Sequence, residues 1–225
     1  MVRINSSVRR PSRAYQHLSV IGRFALALTV LSSISGAADE IQEISAVANG
    51  QHEFVGHKRC KTCHKKAAIG NQYEIWLESK HAKAYETLAT EKAKEWGAEV
   101  GVDDPQTNEK CIKCHSTAHG IPDELVSKSF DRTAGVQCEA CHGAGKDYRK
   151  KRIMIDREQA VANGLVLPNE AVCTRCHNDE SPAWNPEQYT LSDGSRAGFD
   201  YEQAAKKIAH SVPEDYDPKS EGEAD

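Results

Sequence analysis

The sequence predicts a mainly α-helical chain with long loops, whose core is not built chiefly from its own apolar side chains. Three observations carry this. Only 39% of its 225 residues are hydrophobic and 6% aromatic, too few for a conventional core and too many for wholesale disorder. Ala, Glu, Lys and Leu gather in a few helix-like stretches, and no β alternation is convincing. Eight cysteines fall as four C-x-x-C pairs, each followed directly by histidine. Beyond the N-terminal region there is no twenty-residue apolar run, which excludes a polytopic membrane protein.

Taken in order, residues 1–38 come first. Arg3, Arg9, Arg10, Arg13 and Arg23 precede the apolar run Phe24–Leu31, and small residues follow to Ala38. A basic region, a short apolar region and an A-x-A-like exit read as a secretory signal cleaved near Ala37 or Ala38, with an uncleaved anchor as the alternative. Without these five arginines, 24 Lys+Arg of the original 29 face 33 Asp+Glu, a net charge of −9. Such a chain lacks the cationic surplus that binds nucleic acid. It suits a partner presenting a basic face. Residues 214–225 form an acidic tail without an apolar pattern, leaving 39–213 as the folded domain.

The cysteine pairs are Cys60/Cys63 with His64, Cys111/Cys114 with His115, Cys138/Cys141 with His142, and Cys173/Cys176 with His177. C-x-x-C-H is the attachment signature of c-type haem: two thiols bond the vinyl groups and the adjacent histidine is the proximal iron ligand. Zinc ribbons also use C-x-x-C pairs, but they do not require the histidine. Four covalently bound haems c follow, with no cysteine left over. Porphyrin faces then supply much of the core, which explains how so few large apolar residues can support a compact fold.

Residues 66–96 read as helical with a break near Gly70-Asn71, and Gly97 as their end. Leu77, His81, Ala84, Tyr85 and Leu88 form an amphipathic stripe there. Residues 153–163 read as a short helix stopped by Asn163-Gly164, and residues 199–211 as another, with His210 at its edge. Gly143 and Gly145 mark a tight turn. An unpartnered imidazole on an apolar stripe is costly to bury, so His81 is a candidate sixth iron ligand, and His210 another. His119, four residues after His115, could reach a neighbouring haem. His52 and His57 read as solvated. The cluster Lys146, Arg149, Lys150, Lys151 and Arg152 is either a solvated face or a partner of haem propionates.

The segment Gly135-Val136-Gln137-Cys138-Glu139-Ala140-Cys141-His142-Gly143-Ala144-Gly145 resembles the G-V-x-C-E-x-C-H-G-x-G segment of the tetrahaem cytochrome c-554 family of ammonia-oxidising bacteria. Ser79-Lys80-His81, Ser181-Pro182 with Trp184, and Phe199-Asp200 ahead of His210 resemble further family segments at matching offsets. The resemblance implies a small, mainly α multihaem cytochrome c fold with a haem-packed core and long haem-wrapping loops. It implies that His81 pairs with His142 and His210 with His177. It also implies an open haem on His115, its vacant face under Tyr189, Thr190 and Leu191. The family histidine that serves the first haem is replaced here by Arg152, a guanidinium that stays protonated and makes a very poor ligand. That leaves the haem on His64 open or capped by Lys150, Lys151, Met154 or His57.

The function that follows is a periplasmic electron carrier. The resemblance implies a multihaem oxidoreductase as donor and a membrane-side acceptor, with no integral span after signal removal. Two alternatives stand beside it. One is a haem enzyme acting on nitric oxide or hydroxylamine at an open iron, and the other is an electron-transfer subunit of a larger complex. The motif count makes the first test simple: the pyridine haemochrome assay should return four haems per chain that survive acid–acetone extraction. A ratio near one, or zinc in the exported protein, defeats the reading.

Overall fold

The computed structural model describes residues 52–218. The expected leader, with His17, and residues 219–225 of the tail lie outside the described residues. The described chain is a succession of short helices: α1 (His57–His64), α2 (Gln72–Glu78), α3 (Ala84–Thr87), α4 (Glu91–Glu99) and α5 (Glu109–His115) come first. They are followed by α6 (Cys138–His142), α7 (Lys151–Met154), α8 (Arg157–Ala162), α9 (Glu170–Thr174) and α10 (Tyr201–Ile208). Single 3₁₀ turns at Ala67–Ile69 and Asp123–Leu125 interrupt the loops. The fold is mainly α, as the sequence predicts.

Side-chain caps explain several helix starts. Thr90, Asp156, Asn169 and Asp200 each accept a hydrogen bond from the backbone N–H three residues on, and Asn108 from that of Lys110. α8 stops at Asn163-Gly164 as expected, where Gly164 has φ 97°. The 66–96 region is more broken than its composition suggests. Gly70 and Asn71 are left-handed and end the first part. A second break falls at residues 79–83, where Ser79 is extended and its hydroxyl accepts from the Ala82 N–H at 3.3 Å. His81 therefore sits on a turn, not on a continuous apolar stripe, and Leu77 is exposed. Gly97 does not end its helix. α4 runs on to Glu99, and the missing side chain lets the Val102 carbonyl approach to 3.0 Å from the place a Cβ would take.

One departure from an all-helical reading is a two-residue hairpin, β1 (Tyr189–Thr190) antiparallel to β2 (Arg196–Ala197). The Asp193 carboxylate accepts from the Ser195 N–H and hydroxyl, folding a turn whose strands are too short to show alternation. α10 ends before His210, which lies just past its last turn rather than on it.

Apolar packing is sparse, in keeping with the composition. One buried cluster joins Phe54, Ala118 and Ala144, and a second joins Tyr148, Ile153 and Ala160. Polar groups connect distant segments instead. Glu139, 1% exposed, accepts from the backbone N–H of Val55 (2.9 Å), Gly56 (2.7 Å) and Gly145 (2.6 Å). Gln137, equally buried, accepts from the His57 N–H at 2.9 Å and donates to the Asp131 carbonyl at 2.7 Å. Together they fasten the start of α6 to the start of α1. The 79–83 turn joins the same assembly: the Val136 N–H donates to the His81 carbonyl at 2.9 Å, and Trp76 Nε1 donates to the Val136 carbonyl at 2.8 Å.

Gly135 allows that contact. Its φ is 69°, and a Cβ would fall 2.5 Å from the His81 carbonyl and 2.6 Å from that of Ala82, both backbone atoms that cannot swing away. Gly135→Ala should lower stability by about 2 kcal/mol or more, read as a reduced midpoint of denaturant unfolding.

Candidate functional site

The four motifs are presented on short helical segments. In α1, α5 and α6 the motif histidine is the last helical residue. Residues i, i+3 and i+4 of a helix share one face, so both thiols and the imidazole of each motif point to the same side. The fourth motif begins in α9 with Cys173, and Cys176 and His177 follow just beyond the helix end.

The eight motif cysteines are not equally enclosed by the polypeptide. Cys60, Cys111, Cys114, Cys138, Cys141, Cys173 and Cys176 are half-buried, whereas Cys63 is exposed. The reason lies in how α1 packs. It meets α2 and α6 on the side of Cys60, whose thiol touches Cys138, while its last turn at Lys61, Thr62 and Cys63 stays open to solvent. The expectation that Cys63 is an anchor rests on the motif's spacing and not on its packing.

The histidine rings are held in one tautomer by their second nitrogen. His115 Nδ1 donates to the Ala84 carbonyl at 2.7 Å, His142 Nδ1 to the Val166 carbonyl at 3.3 Å, and His210 Nδ1 to the Ile208 carbonyl at 2.8 Å. His64 Nδ1 donates to Gln72 Oε1 at 3.2 Å, and the Gln72 amide in turn donates to the Ile69 carbonyl. A carbonyl can only accept, so each of these rings carries its proton on Nδ1 and leaves the Nε2 lone pair for a metal, the usual second-layer arrangement at metal-binding histidines. Burial holds His81 and His142 below the ordinary imidazole pKa, with His177 beside His81 acting in the same direction, so the neutral ligating form is favoured.

Two pairs of rings face each other across long stretches of sequence. His81 and His177 have centroids 6.0 Å apart with planes at 65°, and His142 and His210 have centroids 6.0 Å apart at 86°. Two imidazoles sharing one metal at about 2 Å per Fe–N bond have centroids about 6 Å apart, so both pairs have the separation of a bis-histidine site. This corrects the pairing that the resemblance implied. His81 meets His177, not His142, and His210 meets His142, not His177. The reason is the 79–83 turn, which carries His81 toward the fourth motif, while the chain beyond α10 brings His210 back to the third.

His64 and His115 form no such pair with another histidine among the described residues. Two histidines expected to be solvated are not. His57 is buried, its Nδ1 hydrogen-bonded to the Tyr73 hydroxyl at 2.9 Å and its ring against Trp76. His52 is half-buried, with Nδ1 2.9 Å from Asp147 Oδ2. The His119 side chain makes no hydrogen bond, ion pair or ring contact among the described residues. The basic cluster is exposed, and two of its members are paired within the chain: Lys146 with Glu53 at 2.9 Å and Lys150 with Asp147 at 3.3 Å. Met154 packs against the cluster of Tyr148, Ile153 and Ala160. In the hairpin, Tyr189 is buried edge-on to Phe199, which stacks on His177 at 5.1 Å. Thr190 accepts from Arg196 and Gln203, and Leu191 pairs with Ser195. The structure therefore joins this segment to the fourth motif.

Attachment sites also meet two by two. The Cys60 side chain adjoins that of Cys138, and the Cys176 side chain adjoins that of Cys114. The first motif thus adjoins the third and the second adjoins the fourth. A Lys113–Glu180 ion pair at 3.0 Å spans the latter two, and the Arg175 guanidinium donates to the Ala140 carbonyl at 2.7 Å, linking the fourth motif to the third. Sequence reasoning missed Gln72, Phe199 as a stacking partner, and the bracing role of Glu139. Only Glu139 left a local signal, as the one acidic side chain inside an attachment motif.

Among the described residues no cluster of three or more His, Cys, Asp or Glu side chains is placed to hold a bare metal ion. Same-face thiols, oriented imidazoles and bis-histidine separations fit haem instead. These are the features that a multihaem c-type cytochrome would present. The chain resembles the cytochrome c-554 family: the family described as cytochrome c554 and c-prime matches residues 59–143. Cytochrome c-554 of Nitrosomonas europaea is 26% identical over 176 residues, covering 69% of this chain and 73% of that protein. Multiheme cytochrome MtrA of Shewanella baltica is 25% identical over 113 residues, covering 45% of this chain and 33% of that protein, so the chain spans about a third of its length. A solved structure of reduced cytochrome c554 from N. europaea covers 69% of this chain and 78% of that one, at 26% identity and a TM-score of 0.44. The family match and the curated relative imply covalently bound haem c and electron transfer.

The ring pairs are testable one at a time. His81→Ala and His210→Ala should each convert one low-spin iron to high-spin, and the double variant should convert two, as counted by electron paramagnetic resonance of the oxidised protein. An unchanged spectrum in either single variant removes that histidine from the ligand set.

Proposed function

We propose that this chain is a periplasmic electron carrier holding four haems c in residues 39–213, exported on the leader at 1–38. The observation that carries the reading is the pair of histidine couples at 6.0 Å, His81 with His177 and His142 with His210. Haem, when bound, supplies a one-electron couple at each iron. The chain's own part is to fix and insulate. The eight cysteines anchor the four groups, and His64, His115, His142 and His177 serve as proximal ligands. Backbone carbonyls hold the rings of His115, His142 and His210 in position, so little rearrangement accompanies electron gain or loss. The contacts between the first and third motifs, and between the second and fourth, favour two closely spaced pairs of groups and a short path between them. We assign the donor to a multihaem oxidoreductase and the acceptor to the membrane side. No helix among the described residues is long and apolar enough to cross a membrane.

A second reading rests on one specific observation: among the described residues, the rings of His64 and His115 face no other histidine. Lys150 and Met154, which could cap the first haem, are engaged elsewhere, and His57 lies on the helix of His64, seven residues and about 10 Å away along its axis. Irons held from one side only can bind nitric oxide or hydroxylamine.

Both readings meet in one experiment. The oxidised protein should show two low-spin and two high-spin irons, and cyanide or nitric oxide should perturb only the high-spin fraction. Fast electron exchange without consumption of the small ligand supports the carrier. Turnover of nitric oxide or hydroxylamine supports the enzyme. Four low-spin irons inert to both ligands remove the second reading.

A further inference from the structure

The most deeply buried charged side chain described is Glu139. It is 1% exposed, lies inside the third attachment motif, and accepts three backbone N–H bonds at 2.6–2.9 Å. Oε1 takes Val55 and Gly145, and Oε2 takes Gly56. Every partner is a donor, and none can accept a proton from the carboxyl group, so the cradle fits the ionised form. Burial works the other way and pushes the carboxyl above its ordinary range, while the three N–H donors and the Arg149 guanidinium pull it down. Two of the donors come from the segment leading into the first motif and one from the turn after the third. The Cys60 and Cys138 thiols, one from each motif, touch beside it, and both feel its charge.

We propose that Glu139 is a positioning residue shared by the first and third haems, one that brings their attachment helices together and places a buried negative charge beside both groups. The proposal rests on the tetrahaem reading. A fixed anion in a poorly solvated site stabilises the more positive, oxidised state of nearby iron. The haems on His64 and His142 are thereby held at lower potential than they would be without it, and the haems on His115 and His177 are not. Electrons then rest preferentially on the second and fourth groups. One carboxylate both braces the first pair and gives the chain a direction.

The test is a spectroelectrochemical titration of the holoprotein with haem content measured on the same samples. In Glu139→Gln, two of the four potentials should rise and two stay in place, with four haems still attached and spin states unchanged. Glu139→Asp, which keeps the charge, should restore the lower potentials. Arg149→Gln is an exposed variant that does not threaten the fold, and it should shift the same two potentials in the opposite direction by a smaller amount. Four unmoved potentials in Glu139→Gln, or four moving together, overturn the proposal. If Glu139→Gln fails to mature, an unmoved set in Arg149→Gln overturns it instead. A wild-type chain without four haems defeats the functional reading, which is a separate result.

Discussion

The fold depends on one buried carboxylate and the three N–H groups that point at it. Removing a carboxylate from water is costly, and charge-assisted bonds of 2.6–2.9 Å are what make its burial tolerable. The same bonds join residues 55–56 to residues 139–145 and so decide which attachment helices are neighbours. Gln137 repeats the link one step earlier in the chain. From this joint the 79–83 turn is fixed through Val136, and His81 is delivered to its partner. With two small apolar clusters among the described residues, there are few other means of holding these segments in register.

Local chemistry was legible in the sequence wherever it was self-contained. The four C-x-x-C-H motifs and the stop at Asn163-Gly164 act within a few residues, and the stop appears in the structure where the residues place it. The break at Ser79 was hidden because its neighbours are good helix formers, and the Ser79 hydroxyl competes for the backbone only once the turn is pinned from outside. Gly97 misled in the opposite sense. Its lack of a side chain serves a close carbonyl approach rather than a helix stop.

The site was legible as an inventory and not as a wiring diagram. His81 and His210 can be singled out by their patterns, yet which motif histidine each meets depends on the path of some seventy to a hundred intervening residues. Burial of His57 depends on Tyr73 and Trp76 folding back from α2, and the Asp147 partner of His52 lies 95 positions away. The exposure of Cys63 is of the same kind, since its motif is identical in form to the three whose cysteines are half-buried. Spacing alone carries none of this, because tertiary contact overrides local pattern at these positions.

The two ring couples also bear on how the chain holds together in bulk. His81 and His177 are 96 positions apart and His142 and His210 are 68 apart. A metal shared by such residues acts as a cross-link that closes a long loop, and by the measure used for disulfides a loop of that size contributes about 4–5 kcal/mol. Unlike a disulfide, such a clasp can be undone by any small molecule that outcompetes an imidazole. Whatever displaced His81 or His210 would therefore do more than occupy an iron: it would set free a segment of polypeptide, turning a change of ligand into a change of shape.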